Sequence, residues 1–131
     1  PGILDFQDAV RGPLTYDLVS ILRDCYIAWP DERVYAWAES FRQRAEAAGL
    51  PTGTADRFRR AFDLMGLQRH LKVLGIFCRL YYRDGKAGYL NDLPLVWRYT
   101  RDIGRRYPET ADLIALIEQA IGTRDITCPN A

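Results

Sequence analysis

Apolar residues recur at helical spacing along almost the whole chain, and prolines and glycines cut that pattern into separate segments. Leu18, Val19, Leu22 and Tyr26 form one stripe, which predicts a helix from Tyr16 to about Ile27 with Thr15 as its cap and Pro30 beyond its end. Val34, Trp37, Ala38, Phe41 and Ala45 form the next stripe, opened by Asp31 and stopped at Gly49. After the turn Pro51-Thr52-Gly53, Thr54 can cap a third helix carrying Phe58, Phe62 and Met65. Gly66 is expected to divide this region. A further helix then carries Leu71, Leu74, Ile76, Phe77, Leu80 and Tyr81 and stops at Asp84-Gly85. Asp92 and Pro94 open another, with Val96, Trp97 and Ile103 inward, because proline is tolerated in a first helical turn. Tyr107-Pro108 breaks the pattern, and a last helix runs from about Glu109 to Ile121 with Leu113, Leu116 and Ile117 apolar. The tail from Thr123 is poor in apolar residues and is expected to be loosely held.

Five or six helices, each burying one stripe, predict a mainly α fold with a single layered core over residues 1–131. The 131 residues amount to one domain, and 48% hydrophobic against 27% charged residues is an ordinary globular balance. Eighteen basic and seventeen acidic residues leave a formal charge of +1, which supplies no field to gather nucleic acid or an anionic membrane. No apolar run reaches the roughly 18–20 residues that span a bilayer. Cys25, Cys78 and Cys128 are odd in number and widely spaced, which argues for reduced thiols in a cytoplasmic protein rather than a disulfide framework or zinc site.

The exception to the helical pattern is Ile3-Leu4-Asp5-Phe6, which reads as the end of a short buried strand followed by a loop with Gly12-Pro13. A carboxylate leaving the end of an apolar strand suits a hard cation. The strand fixes the group, and magnesium needs only one or two carboxylates when phosphate oxygens and water complete its shell. By itself Asp5 reads first as a solvated loop carboxylate. The chain opens at Pro1, without an initiator Met or a signal pattern, and is therefore expected to be a piece of a longer one.

Apolar-apolar-Asp-Phe-x-x-Ala, then Gly12-Pro13, then Tyr16-Asp17-Leu18 resembles the aminoglycoside-phosphotransferase and choline-kinase family, whose fold is that of the protein kinases. The run from Ile3 to Ser20 is most similar to the bacterial anomeric sugar kinases that act on N-acetylmuramate and N-acetylglucosamine in cell-wall recycling. The blocks Gln68 to Phe77 and Tyr89 to Pro94 resemble the same group. The resemblance implies the helical C-lobe of a protein-kinase-like fold, Asp5 as the ligand through which Mg2+ and ATP are held, and Asp17 as a structural support. It also implies a kinase moving the ATP γ-phosphoryl group to a sugar hydroxyl.

The family's catalytic loop, a His-x-Asp followed by an Asn, precedes the Asp5 strand. This chain contains neither that loop nor the ATP-binding lobe, and its one histidine, His70, lies in a helix. The 131 residues alone are therefore expected to be inactive. Kinases of aminoglycosides, choline-like or other alcohols share the same pattern. A non-catalytic helical interaction module is the reading of another class.

For the acceptor, Asp24 and Trp29 are the candidate substrate-binding residues, Trp29 because it borders a helix end beside Pro30. Asp24 is equally a surface charge. Trp37 and Trp97 are expected in the core, and Arg23 on the surface. Asp8 either assists the metal or pairs with Arg11, and His70 is expected to be partner-bonded or exposed. The basic residues Arg69 and Lys72 could meet an acidic group of the substrate. Arg57, Arg59 and Arg60, diluted by Asp56 and Asp63, read as a solvated face. Apolar surface that a missing lobe would cover is expected to drive self-association.

Overall fold

The computed structural model describes residues 9–128, and the strand around Ile3 to Phe6, with Asp5 and Asp8, lies outside them. The described residues are mainly α. Helix α1 spans Thr15–Leu22, α2 Asp31–Ala47, α3 Ala55–Asp84, α4 Leu93–Gly104 and α5 Pro108–Ile121, with a 3-10 segment over Ala87–Asp92 between α3 and α4.

Several boundaries follow the local chemistry. The Thr54 hydroxyl accepts the Arg57 N–H at 3.3 Å and opens α3. Gly49 (φ 81°) and Gly85 (φ 67°) end α2 and α3 in the left-handed region, where a Cβ would be strained. At the first of these the Leu50 N–H reaches the Ala45 carbonyl (2.9 Å) and the Gly49 N–H the Glu46 carbonyl (2.9 Å), the paired closure of a Schellman motif. Pro94 and Pro108 sit in the first turns of α4 and α5.

Several expectations fail. Gly66 does not divide α3, which runs unbroken for 30 residues, about 45 Å at 1.5 Å per residue. A glycine costs a helix only about 1 kcal/mol. Here α1, α2, the 3-10 segment and α4 all pack against α3, and that burial outweighs the cost. Helix α1 stops at Leu22 rather than near Ile27, and Thr15 is its buried first residue rather than its cap. Beyond Leu22 the backbone takes other partners: locally Asp24 accepts the Tyr26 N–H (2.7 Å), and from α4 the Tyr99 hydroxyl donates to the Ile27 carbonyl (3.3 Å). On α5 the buried residue is Ile114, whereas Leu113 and Leu116 are exposed.

The core is threaded along α3. Phe62 closes a cluster with Val19, Leu22, Val34 and Ala38. Leu67 meets Ile103 and Ile114. Phe77 meets Leu90, Leu93 and Val96. Gly104 at the end of α4 lies so close to α5 that an added Cβ would collide with the Ile114 side chain. The tail as far as Cys128 is docked rather than loose. Ile126 packs on the Phe77 cluster, and Asp125 accepts both the N–H (2.9 Å) and the hydroxyl (2.7 Å) of Thr127.

Candidate functional site

The segment between α1 and α2 carries Asp24 and Trp29 and forms one wall of a cleft of about 250 Å³ opposite α4. Arg23, Trp29 and Asp31 line it from the first wall, and Arg98, Asp102 and Arg106 from the region of α4.

Arg23 departs most from expectation. It is not a surface residue but only 4% exposed. It stands four residues after Val19 and eight after Thr15, both buried, so it continues the inward stripe of α1. Its guanidinium lies 5.3 Å from the Tyr35 ring centre and 5.4 Å from that of Tyr99, and one Nη donates to Asp31 at 3.1 Å. Its Nε and other Nη find no acceptor among the described residues.

Asp31, expected as a helix cap, is instead an ion-pair hub, and the cap position falls to Pro30. One carboxylate oxygen takes Arg23 and the other takes Arg106 at 2.7 Å. Partial burial pushes its carboxyl up, but the hydrogen bonds and charges of Arg106 and Arg23 outweigh that and hold it below the usual carboxylate range.

Arg106 also meets the Tyr35 hydroxyl, which donates to Asp63 at 2.8 Å. The other Asp63 oxygen accepts the Tyr107 hydroxyl at 2.8 Å and stands 3.9 Å from Arg106. Asp63, expected on a solvated face, is 1% exposed. Burial, followed by the hydrogen bond to Asp63 and its charge, pushes the Tyr35 and Tyr107 hydroxyls above their ordinary values. The network ties α2, α3 and the α4–α5 turn into one frame.

His70 is buried behind Arg23 and partner-bonded. Its Nε2 lies 3.0 Å from the Arg23 carbonyl, which can only accept, so Nε2 carries the proton. The ring stacks on Tyr99 at 4.9 Å between centroids, and Nδ1 has no partner among the described residues. Burial, with the neighbouring cations Arg23 and Arg69, pulls its pKa below the ordinary histidine value despite the bond to the carbonyl.

Of the residues singled out from sequence, Trp29 lies in the cleft wall, 37% exposed, edge-on to Trp37 at 5.5 Å. Arg33 lies over both indoles. Trp37 is therefore half exposed rather than core, while Trp97 packs against the Leu67–Ile103–Ile114 cluster as expected. Asp24 is spent on the Tyr26 N–H and does not line the cleft. Asp17 is exposed on the first turn of α1. Arg69 lies over the Tyr16 ring, 4.7 Å from its centre, away from the cleft wall. The sequence reading missed Arg23, Asp31 as an ion partner, Asp63 and Arg106. Only Arg23 carried a local signal, its place on the α1 stripe.

Among the described residues no three His, Cys, Asp or Glu side chains gather so as to hold a metal ion. No helix among them is long and apolar enough to cross a membrane. Cys25, Cys78 and Cys128 are free thiols.

Residues 1–62 match the family model described as the phosphotransferase enzyme family. A kinase of Neisseria meningitidis serogroup B named N-acetylmuramate/N-acetylglucosamine kinase is 51% identical over 127 residues, 96% of this chain and 38% of its own length. Proteins of the same name from Pseudomonas putida (49% over 120 residues, 91% of this chain, 35% of the relative) and Caulobacter vibrioides (32% over 120 residues, 92% and 31%) also align. No solved structure matches. The class that the chain resembles is thus the phosphotransferases. More particularly, nearly the whole chain is similar to a segment of N-acetylmuramate/N-acetylglucosamine kinases and spans a little over a third of the length of the first two relatives.

Proposed function

We propose that this chain is the acceptor side of a kinase that transfers the ATP γ-phosphoryl group to the anomeric hydroxyl of N-acetylmuramate or N-acetylglucosamine. The observation that carries the reading is the 51% identity over 127 residues with a kinase of that name. In this reading Asp5 holds Mg2+ and through it the ATP phosphates, Asp17 braces the start of α1, and the segment bearing Asp24 and Trp29 faces the sugar. Bound magnesium would neutralise charge on the transferred group. The residues of this chain would position the acceptor, since phosphoryl transfer depends chiefly on alignment and electrostatics. Asp24 acts in this scheme by shaping the turn, given its bond to the Tyr26 N–H. The free thiols and the need for ATP support a cytoplasmic setting.

A coupled ATP-consumption assay of the intact natural protein carrying this chain tests the reading against N-acetylmuramate, N-acetylglucosamine, kanamycin and choline. Turnover of the two amino sugars is expected, and absence of turnover with both ends the proposal. Asp5→Ala should lower kcat by about 100-fold or more, and an unchanged rate would remove Asp5 from the metal role. The 131 residues alone, having no His-x-Asp…Asn loop, should consume no ATP in the same assay. Light scattering of the isolated chain at high concentration tests the expected self-association, which a sharp monomer peak would refute.

A further inference from the structure

Within the Arg23 cleft, three cations (Arg23, Arg98 and Arg106) face two carboxylates (Asp31 and Asp102). Both carboxylates are already engaged, and Arg106 also stands 3.9 Å from the buried Asp63. Asp31 is already shared between Arg23 and Arg106, and Asp102 is paired with Arg101 at 3.0 Å, a residue outside the lining. Arg98 is exposed and rests against the Tyr99 ring at 5.6 Å. Arg23 also lines the cleft, and its Nε and second Nη are buried without an acceptor among the described residues. A buried guanidinium is held at a cost unless its donors are met, and the group that meets them best is a planar anion with two oxygens. Trp29 lines the same cleft and adds a flat apolar face.

We propose that the cleft is an anion subsite in which Arg23, Arg98 and Arg106 receive a carboxylate borne by the acceptor sugar. This rests on the kinase reading above, where one of the two sugars, N-acetylmuramate, carries a carboxylate on its lactyl arm and the other, N-acetylglucosamine, does not. The volume agrees with the role. About 250 Å³ is below the roughly 300–1,000 Å³ of a complete small-molecule pocket. It suits one arm of a ligand whose reacting hydroxyl lies outside, toward the nucleotide. Trp29 would border the ring from which that arm projects. The inference moves acidic-group recognition from Arg69 and Lys72 on α3 to the face between the α1–α2 segment and α4.

The test compares kcat/KM for N-acetylmuramate and N-acetylglucosamine in the intact protein and in Arg98→Ala and Arg98→Glu variants. Arg98 is exposed, so these changes leave the buried frame in place, whereas Arg23→Met endangers folding and is the weaker probe. The ratio of N-acetylmuramate to N-acetylglucosamine efficiency should fall about tenfold with alanine and further with glutamate, mostly through the KM for N-acetylmuramate. In parallel, tryptophan fluorescence titrated with N-acetylmuramate alone should show saturation in the wild type and a weaker midpoint in Arg98→Glu. Turnover of both sugars with an unchanged ratio in both variants would overturn the subsite and leave the kinase reading standing. Failure of the unmodified protein to turn over either sugar would overturn the kinase reading, and the subsite with it.

Discussion

Around Phe62, α3 joins its neighbours through ion pairs and hydroxyls laid over an apolar cluster, whereas around Phe77 it joins them almost wholly through apolar shape. At the first end Asp63, Tyr35, Tyr107, Arg106, Asp31 and Arg23 form a continuous relay in which most members serve two partners. At the second, Phe77, Leu90, Leu93 and Val96 pack with Tyr89 and Ile126, and an apolar groove of about 600 Å³ opens beside them between α3, α4 and α5. Directional bonds fix where a side chain can stand and penalise any loss of a partner, while dispersion and burial tolerate a change of outline that keeps the volume. The polar end thus suits a site that must recognise a charged group. The groove leaves apolar area open, and Leu116, one of the residues lining it, is 63% exposed.

The contrast breaks most readily at Asp63. Asp63→Ala leaves two tyrosine hydroxyls and Arg106 without their shared acceptor and should cost about 3–5 kcal/mol, read as a lower urea midpoint. A loss below about 1 kcal/mol would show that the relay is incidental. Gly104→Ala should cost about 1–3 kcal/mol through overpacking against Ile114, and a compensating Ile114→Val should recover part of it in a double-mutant cycle. At the apolar end, Phe77→Leu should cost less than about 1.5 kcal/mol, because the cluster can close around a similar volume.

Acid should find the polar end first. His70 titrates below its ordinary value in the folded protein, so the unfolded chain binds the proton more readily. Stability from this group is whole above about pH 6.5 and declines as pH falls below it, and His70→Gln should flatten that slope in urea melts taken between pH 7.5 and 5. Asp31 adds a second loss at lower pH. Its folded pKa lies below the ordinary value, so its contribution holds above about pH 4 and disappears as the carboxylate takes up a proton. The smallest effect should be a gain. Gly75 lies in mid-helix with open space where a Cβ would go, so Gly75→Ala should raise stability by about 0.5–1 kcal/mol.

What could be read from the sequence was what the chain decides locally. Thr54, Gly49, Gly85, Pro94 and Pro108 act on the backbone within a few residues, and each lies at or beside the boundary it predicts. The mainly α class follows from the same periodicity. What escaped was decided by residues far apart in the chain. Asp63 is buried because Tyr35 and Tyr107 meet it from 28 positions before and 44 after, and nothing in its neighbourhood of arginines announces that. Gly66 looks like a breaker until α1 is seen lying across it, with Val19 at van der Waals distance from where its side chain would be. Of the candidate site, Trp29 was legible from its place beside a helix end, and Arg98 on α4 and Arg106 in the α4–α5 turn were not, because both are distant in sequence.

The undivided α3 has a dynamic consequence. Phe62, Leu67 and Phe77 are beads on a single rod, so opening at one cluster is coupled to the other two through one continuous backbone. Amide protons from Phe62 to Phe77 should therefore trade with deuterated solvent last in the molecule and at one shared rate, the mark of a spine that opens all together or not at all.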